Sequence, residues 1–199
     1  LGQVRGQPAL VLSVVGVART NEVVNRYEAP ENQCEEASFS VVSDTTATVV
    51  ENGNANAVVT TTHPAWTALI PGATWIWETI FVVNPTQNET KTFEKTFNVD
   101  GVVLDADLMV AADNQYKVWI NGNLIGQDAT EFNYSLAGQD SYNDISPAYF
   151  ADGQNTLKME VTNMAGDQNP LSNPAGALFK LDLDTEDCGD EQCVEEPLM

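Results

Sequence analysis

The chain is 199 residues long and carries 29 Asp+Glu against 8 Lys+Arg and one His, a formal net charge of -21. That balance excludes a nucleic-acid backbone or an anionic membrane surface as partner, because both are held by clustered Lys and Arg. Hydrophobic residues make up 43% of the chain, which is enough to bury a core and excludes a disordered acidic polymer.

Leu1 in first position, with no basic segment leading into a long apolar one, reads as a mature or trimmed N-terminus. The most apolar run, Ala9 to Ala18, has about half the ~20 residues needed to span a bilayer, so membrane insertion is not expected. It reads instead as a strand buried on both faces, carried by Leu10, Leu12, Val14, Val15 and Val17. Such a terminal strand either pairs within its own sheet or completes the sheet of a neighbouring copy, and head-to-tail exchange of that kind builds a filament. Asn21 to Glu36, with five Glu around Pro30, reads as a long surface loop.

From there the chain alternates short Val-, Thr-, Phe- and Ile-rich runs with Gly, Asn, Asp and Pro, the pattern of an all-β fold. Strands are expected at Ser38 to Val42, Thr46 to Val50, Ala57 to Thr62, Trp75 to Val83, Thr92 to Val99 and Leu104 to Ala111. Others are expected at Tyr116 to Ile120, Glu131 to Tyr134, Thr156 to Thr162 and Ala177 to Leu183. Asp100-Gly101 and Asn121-Gly122 supply residues that tolerate positive φ, and each predicts a two-residue hairpin. Alternation places Tyr116, Val118 and Ile120 on one face and Lys117 and Trp119 on the other, and puts Trp75 and Trp77 together over one sheet face. The expected organisation is an N-terminal strand in residues 1–20, a sandwich in 21–185 and an acidic, cysteine-containing tail in 186–199.

Three cysteines, Cys34, Cys188 and Cys193, point to a disulfide and an oxidising compartment. Cys188 could close a small loop with Cys193, or Cys34 could pair with either, leaving one thiol over. Zinc would want four ligands, which three cysteines and a distant His63 do not supply. The sequons Asn88-Glu89-Thr90 and Asn133-Tyr134-Ser135 make Asn88 and Asn133 glycosylation candidates.

An ordered series of features runs from Trp75 to Leu183. It comprises Lys95-Thr96-Phe97-Asn98-Val99, Ala106 to Asn114, Tyr116-Lys117-Val118-Trp119-Ile120-Asn121-Gly122, Gly126, Phe132, Asp144-Ile145-Ser146, and Gly153-Gln154-Asn155-Thr156-Leu157 leading into Met159, Val161 and Asn163. This part of the chain resembles the galactose-binding-domain-like jelly rolls, sandwich modules that accompany many glycoside hydrolases and also occur as independent surface domains. The resemblance implies a jelly-roll β-sandwich in which the Asn-Gly turn closes a central hairpin and the Gly-x-Asn-x-Leu element opens a late core strand. Residues 1–74 lie outside it and imply additional N-terminal strands.

The resemblance also implies sugar binding, with Trp66 and Tyr142 as stacking candidates and Asp113, Asn114 and Asp140 as polar groups near loop ends. It implies calcium as a candidate ligand. The Asp182-Leu183-Asp184 run and Asp113 are candidates for holding it, although the run lacks the glycine and helices of an EF-hand. No cofactor is otherwise indicated. A Ser-His-Asp device would need His63, which stands in His63-Pro64-Ala65-Trp66 with no Gly-x-Ser-x-Gly turn anywhere, so an enzyme is not expected. Two roles follow. The first is an extracellular structural or adhesive protein that assembles with copies of itself through Ala9 to Ala18, and the alternative is a monomeric carbohydrate-binding module whose partners are glycans.

Overall fold

The computed structural model describes residues 34–166 and 173–189. Twelve strands are found there: β1 (Glu35–Val42), β2 (Thr48–Val49), β3 (Ala55–Asn56), β4 (Val58–Val59), β5 (Ile76–Trp77) and β6 (Glu89–Val99), then β7 (Val102–Asp113), β8 (Gln115–Ile120), β9 (Asn123–Asp128), β10 (Asp140–Tyr142), β11 (Gly153–Asn163) and β12 (Gly176–Asp187). They form two antiparallel sheets. One runs β10-β7-β12-β5-β4, with β1 also paired to β12, and the other runs β3-β2-β6-β11-β8-β9. The fold is an all-β sandwich.

Alternation along the long strands builds the core. Leu157, Met159 and Val161 on β11 face Leu108 and Val110 of β7 and Phe179, Leu181 and Leu183 of β12, all buried in one cluster. Trp77 bridges the sheets, its ring centroid 5.4 Å from that of Phe93. On β8 the expected face is the buried one: Tyr116, Val118 and Ile120 are interior, while Trp119 lies on the outer face with the Lys158 ammonium 4.0 Å above its ring. The Asn121-Gly122 hairpin forms as expected, with φ of 48° and 81° at its two residues, and joins β8 to β9. Asn155 fixes the start of β11, its amide donating to the carbonyls of Ala151 and Gly153 at 2.8 and 2.9 Å.

The structure corrects several expectations. Asp100-Gly101 is not a hairpin, because β6 and β7 lie in different sheets and the turn carries the chain from one to the other. Gly101 has φ 80°, and a Cβ there would sit 2.3 Å from the carbonyl oxygen of Glu186, so only glycine allows this close crossing. Glu131 to Tyr134 is not a strand; it turns tightly around the buried Asn133, whose side chain holds the backbone at Asn114 and Thr130. Only Ile76–Trp77 of the Trp75 to Val83 run pairs; Trp75 is buried ahead of the strand, and Glu78 to Val83 is an irregular segment. Trp75 and Trp77 consequently do not share a face, Trp77 entering the main core and Trp75 a second cluster outside it. Glu35 and Glu36 belong to β1 rather than to a loop, and Glu186 and Asp187 belong to β12 rather than to the tail.

Cys34 and Cys188 form the disulfide, one of the pairings the spacing allowed, and it ties the start of β1 to the end of β12. Cys193 and the strand candidates Leu10, Leu12, Val14, Val15 and Val17 lie outside the described residues. Among the described residues, no helix is long and apolar enough to cross a membrane.

Candidate functional site

The second cluster lies where the chain of residues 60–75 folds over the outer face of the β7–β12 pair. Trp66 stacks on Trp75 with ring centroids 4.4 Å apart, and both rings sit against Gly176, where a Cβ would lie 2.7 Å from Trp75. The indole N–H of Trp66 donates to the Asp113 carboxylate at 2.7 Å. Asp113 is only 7% exposed. Burial pushes its carboxyl up to about 7, with the Trp66 N–H pulling the other way and the charge of Glu131 adding to the rise. The backbone N–H groups of Thr67 and Ala68 donate to the Tyr134 carbonyl, and that of Leu69 to the Gln139 side chain. Trp66 is therefore half-buried, with one ring face covered by Trp75.

This anchoring presents an open groove. The Trp66 backbone N–H donates to the His63 carbonyl at 2.9 Å, closing a turn. Ahead of that turn Thr61 N–H bonds the Ile80 carbonyl at 2.9 Å, which docks Thr60 to Pro64 against Ile80 to Val82. Between these segments and Pro174 lies a cavity of about 460 Å³. Phe81 is 76% exposed beside it and Ile80 is also exposed. His63 Nδ1 accepts the Ala65 N–H at 3.2 Å, and among the described residues Nε2 has no hydrogen-bond partner. The groove thus joins an apolar wall to threonine hydroxyls and one imidazole. The sequence reading missed it because Phe81, placed between Ile80 and Val82, looks like any other residue of an apolar strand.

Tyr142 stands elsewhere. Its hydroxyl is 2.6 Å from that of Tyr116, which donates to Asp140 at 2.5 Å. Its ring fills the space a side chain at Gly126 would need, so Tyr142 closes the sandwich between β10 and β9. Burial raises the pKa of both tyrosines; the bonds to Asp140 and Tyr142 add to the rise at Tyr116, whereas at Tyr142 the bond from Tyr116 opposes it and the charge of Asp140 adds to it. Asp140 belongs to this group, whereas Asn114 lies with Asp113, its Oδ1 accepting the Met164 N–H at 2.8 Å.

The calcium candidates are not brought together. Asp113 pairs with Gly176 at the start of β12, six residues and about 20 Å along the strand from Asp182. Asp182 and Asp184 face Asp107 and Asp105 across β7, a ladder of carboxylates turned away from the core. Lys180 and Ser40 bond Asp182 and, against the opposing effect of burial, lower its pKa. Among the described residues, the one group of three His, Cys, Asp or Glu donors within 4.8 Å of one another is Cys34, Glu186 and Cys188, and the disulfide consumes two of these. Like charges directly opposite one another destabilise a sheet. Raising sodium chloride from 0.1 to 1 M, which cuts the screening length from about 10 Å to about 3 Å, is expected to raise the melting temperature. A flat or falling thermal-melt series would show that the ladder carries no strain.

No protein-family model matches the sequence, and no curated protein matches it. Solved structures with a similar chain path include a family 35 carbohydrate-binding module from Clostridium thermocellum, 13% identical, with TM-score 0.38 over 72% of this chain and 97% of that one. They also include Streptomyces avermitilis α-L-rhamnosidase complexed with L-rhamnose, 23% identical, with TM-score 0.41 over 63% of this chain, and a putative β-galactosidase from Bacteroides fragilis, 12% identical, with TM-score 0.44 over 74% of it. The match spans 12% of the rhamnosidase and 23% of the galactosidase.

Proposed function

We infer that this chain is a non-catalytic extracellular carbohydrate-binding domain whose ligand lies in the groove between Thr60–Pro64 and Ile80–Val82. The observation that carries this reading is Phe81, a large ring left 76% exposed beside hydroxyl-bearing residues. A pyranose presents an apolar C–H face and an edge of hydroxyls. Phe81, Ile80 and Pro64 suit the first, while Thr61, Thr62 and His63 suit the second. Trp66 serves as the anchor that fixes the His63 turn rather than as the stacking platform itself. The disulfide supports the extracellular setting. The assembly role rests on Ala9 to Ala18, outside the described residues, and the groove favours the glycan reading over it.

The test is affinity electrophoresis of the full chain through gels containing a panel of soluble plant and bacterial polysaccharides, repeated with Phe81→Ala. At least one polysaccharide is expected to retard the wild type, and Phe81→Ala is expected to weaken that retention about tenfold, the loss of one stacking contact. Its melting temperature should not change, because the side chain is exposed. A wild type that no polysaccharide retards, or a variant retarded as strongly as the wild type, overturns the assignment.

A further inference from the structure

Two sequons were singled out by sequence, and the structure separates them. Asn133 is 1% exposed. Its Nδ2 donates to the Asn114 carbonyl at 3.0 Å and to the Thr130 carbonyl at 3.2 Å, and its Oδ1 accepts the Thr130 hydroxyl at 3.0 Å. Both amide protons are therefore spent on main-chain oxygens. A sugar on that nitrogen would displace at least one bond and force a polar group of many atoms into a closed space.

Asn88 differs in each respect. It is exposed, just ahead of β6, and its Oδ1 accepts the Ala165 N–H at 3.0 Å. Among the described residues its Nδ2 donates to nothing. Thr90 is also exposed, and its hydroxyl shares a 2.8 Å hydrogen bond with that of Thr162 on β11. An amide glycosylated on nitrogen keeps its carbonyl, so the bond to Ala165 survives the modification.

We propose that Asn88 is an N-glycan acceptor of this protein and that Asn133 is not. The donor class is an oligosaccharide carried on a lipid pyrophosphate. The bond from Asn88 Nδ2 to the sugar C1 forms and the bond from C1 to the pyrophosphate oxygen breaks. The lipid pyrophosphate leaves with the bonding electrons, and one Nδ2 proton passes to a base of the transferase. The same compartment would form the Cys34–Cys188 disulfide, and the proposal stands independently of what the Phe81 groove binds.

The test is secretion of the full chain from yeast or insect cells, followed by intact mass and peptide mapping before and after amidase treatment, which converts a glycosylated Asn to Asp. One glycan per chain is expected, with Asp appearing at position 88 alone. Asn88→Gln and Thr90→Ala should each reduce the count from one to none, and Thr90→Ser should retain it. A secreted chain without a glycan, or with Asp at position 133, overturns the proposal. Both results come from the wild type, so the test does not depend on any variant folding.

Discussion

Replacing Cys34 and Cys188 by Ser is expected to lower the unfolding free energy by about 5 kcal/mol, the loop-closure entropy of a long chain segment. The bridge spans 154 residues, nearly the whole described fold. A domain of this size is stable by only about 5–15 kcal/mol, so the loss is a third or more of the total. Its structural effect should concentrate on β1, which among the described strands pairs only with β12 and sits next to the bond. Denaturant melts of the wild type with and without reductant, and of the double variant, provide the check. Cys193→Ser belongs in every background so that the third thiol cannot take over. Coincident midpoints in oxidised and reduced samples would show that the strands hold without the bridge.

The second large effect is on pH. The Asp113 carboxyl stands at about 7 in the fold, because burial opposes its charge, against 3.8 in the unfolded chain. The folded state therefore binds a proton that the unfolded state releases over that window. Stability associated with this group is complete below pH 4 and is lost as pH rises toward and through 7, by up to about 4 kcal/mol. Asp44, Glu51, Asp128 and Asp182 act in the opposite sense. Burial raises each, but hydrogen bonds from Lys95 and Thr46, from Thr92, from Thr130, and from Lys180 and Ser40 respectively outweigh it and lower them. Their contribution is lost as pH falls below about 4. Maximum stability is expected near pH 4. Asp113→Asn keeps an acceptor for the Trp66 indole while removing the charge, so it should stabilise the protein at pH 8 and change little at pH 4 and below. Melts of both proteins from pH 5 to 8 that run parallel would sink this account.

The fold was legible where sequence alternation coincides with burial. β8 and β11 show it along their whole length, and the Asn121-Gly122 turn supplies backbone freedom where the hairpin needs it. β9 escaped notice because Asn123 to Asp128 lies at a sheet edge and carries Gly126, so it has no apolar face to announce it. β10 is only three residues long, and its place is set by Tyr142 meeting Tyr116. Asp100-Gly101 misled because positive φ specifies a turn without specifying whether the next strand returns to the same sheet.

The candidate site was less legible. Trp66 lies outside every expected strand, and its partners, Trp75 and Asp113, lie 9 and 47 residues away in the chain with no local pattern to link them. The Phe81 groove exists because the strand begun at Ile76 stops after Trp77, and nothing in Glu78 to Val83 marks that stop. Asn88 and Asn133 have the same three-residue signature, and only their surroundings tell them apart.

The pairing of β1 with β12 places the first and last described strands side by side and in opposite directions, with Cys34 and Cys188 bonded beside the outer ends of the two strands. A pull applied to those two ends would, without the bond, peel β1 from β12 one rung at a time, the weakest way to load a sheet. With the bond in place the tension runs from one sulfur to the other and bypasses everything between residues 34 and 188. The sandwich between them then carries no load, and the groove beside Phe81 keeps its shape while the flanking chain is under force.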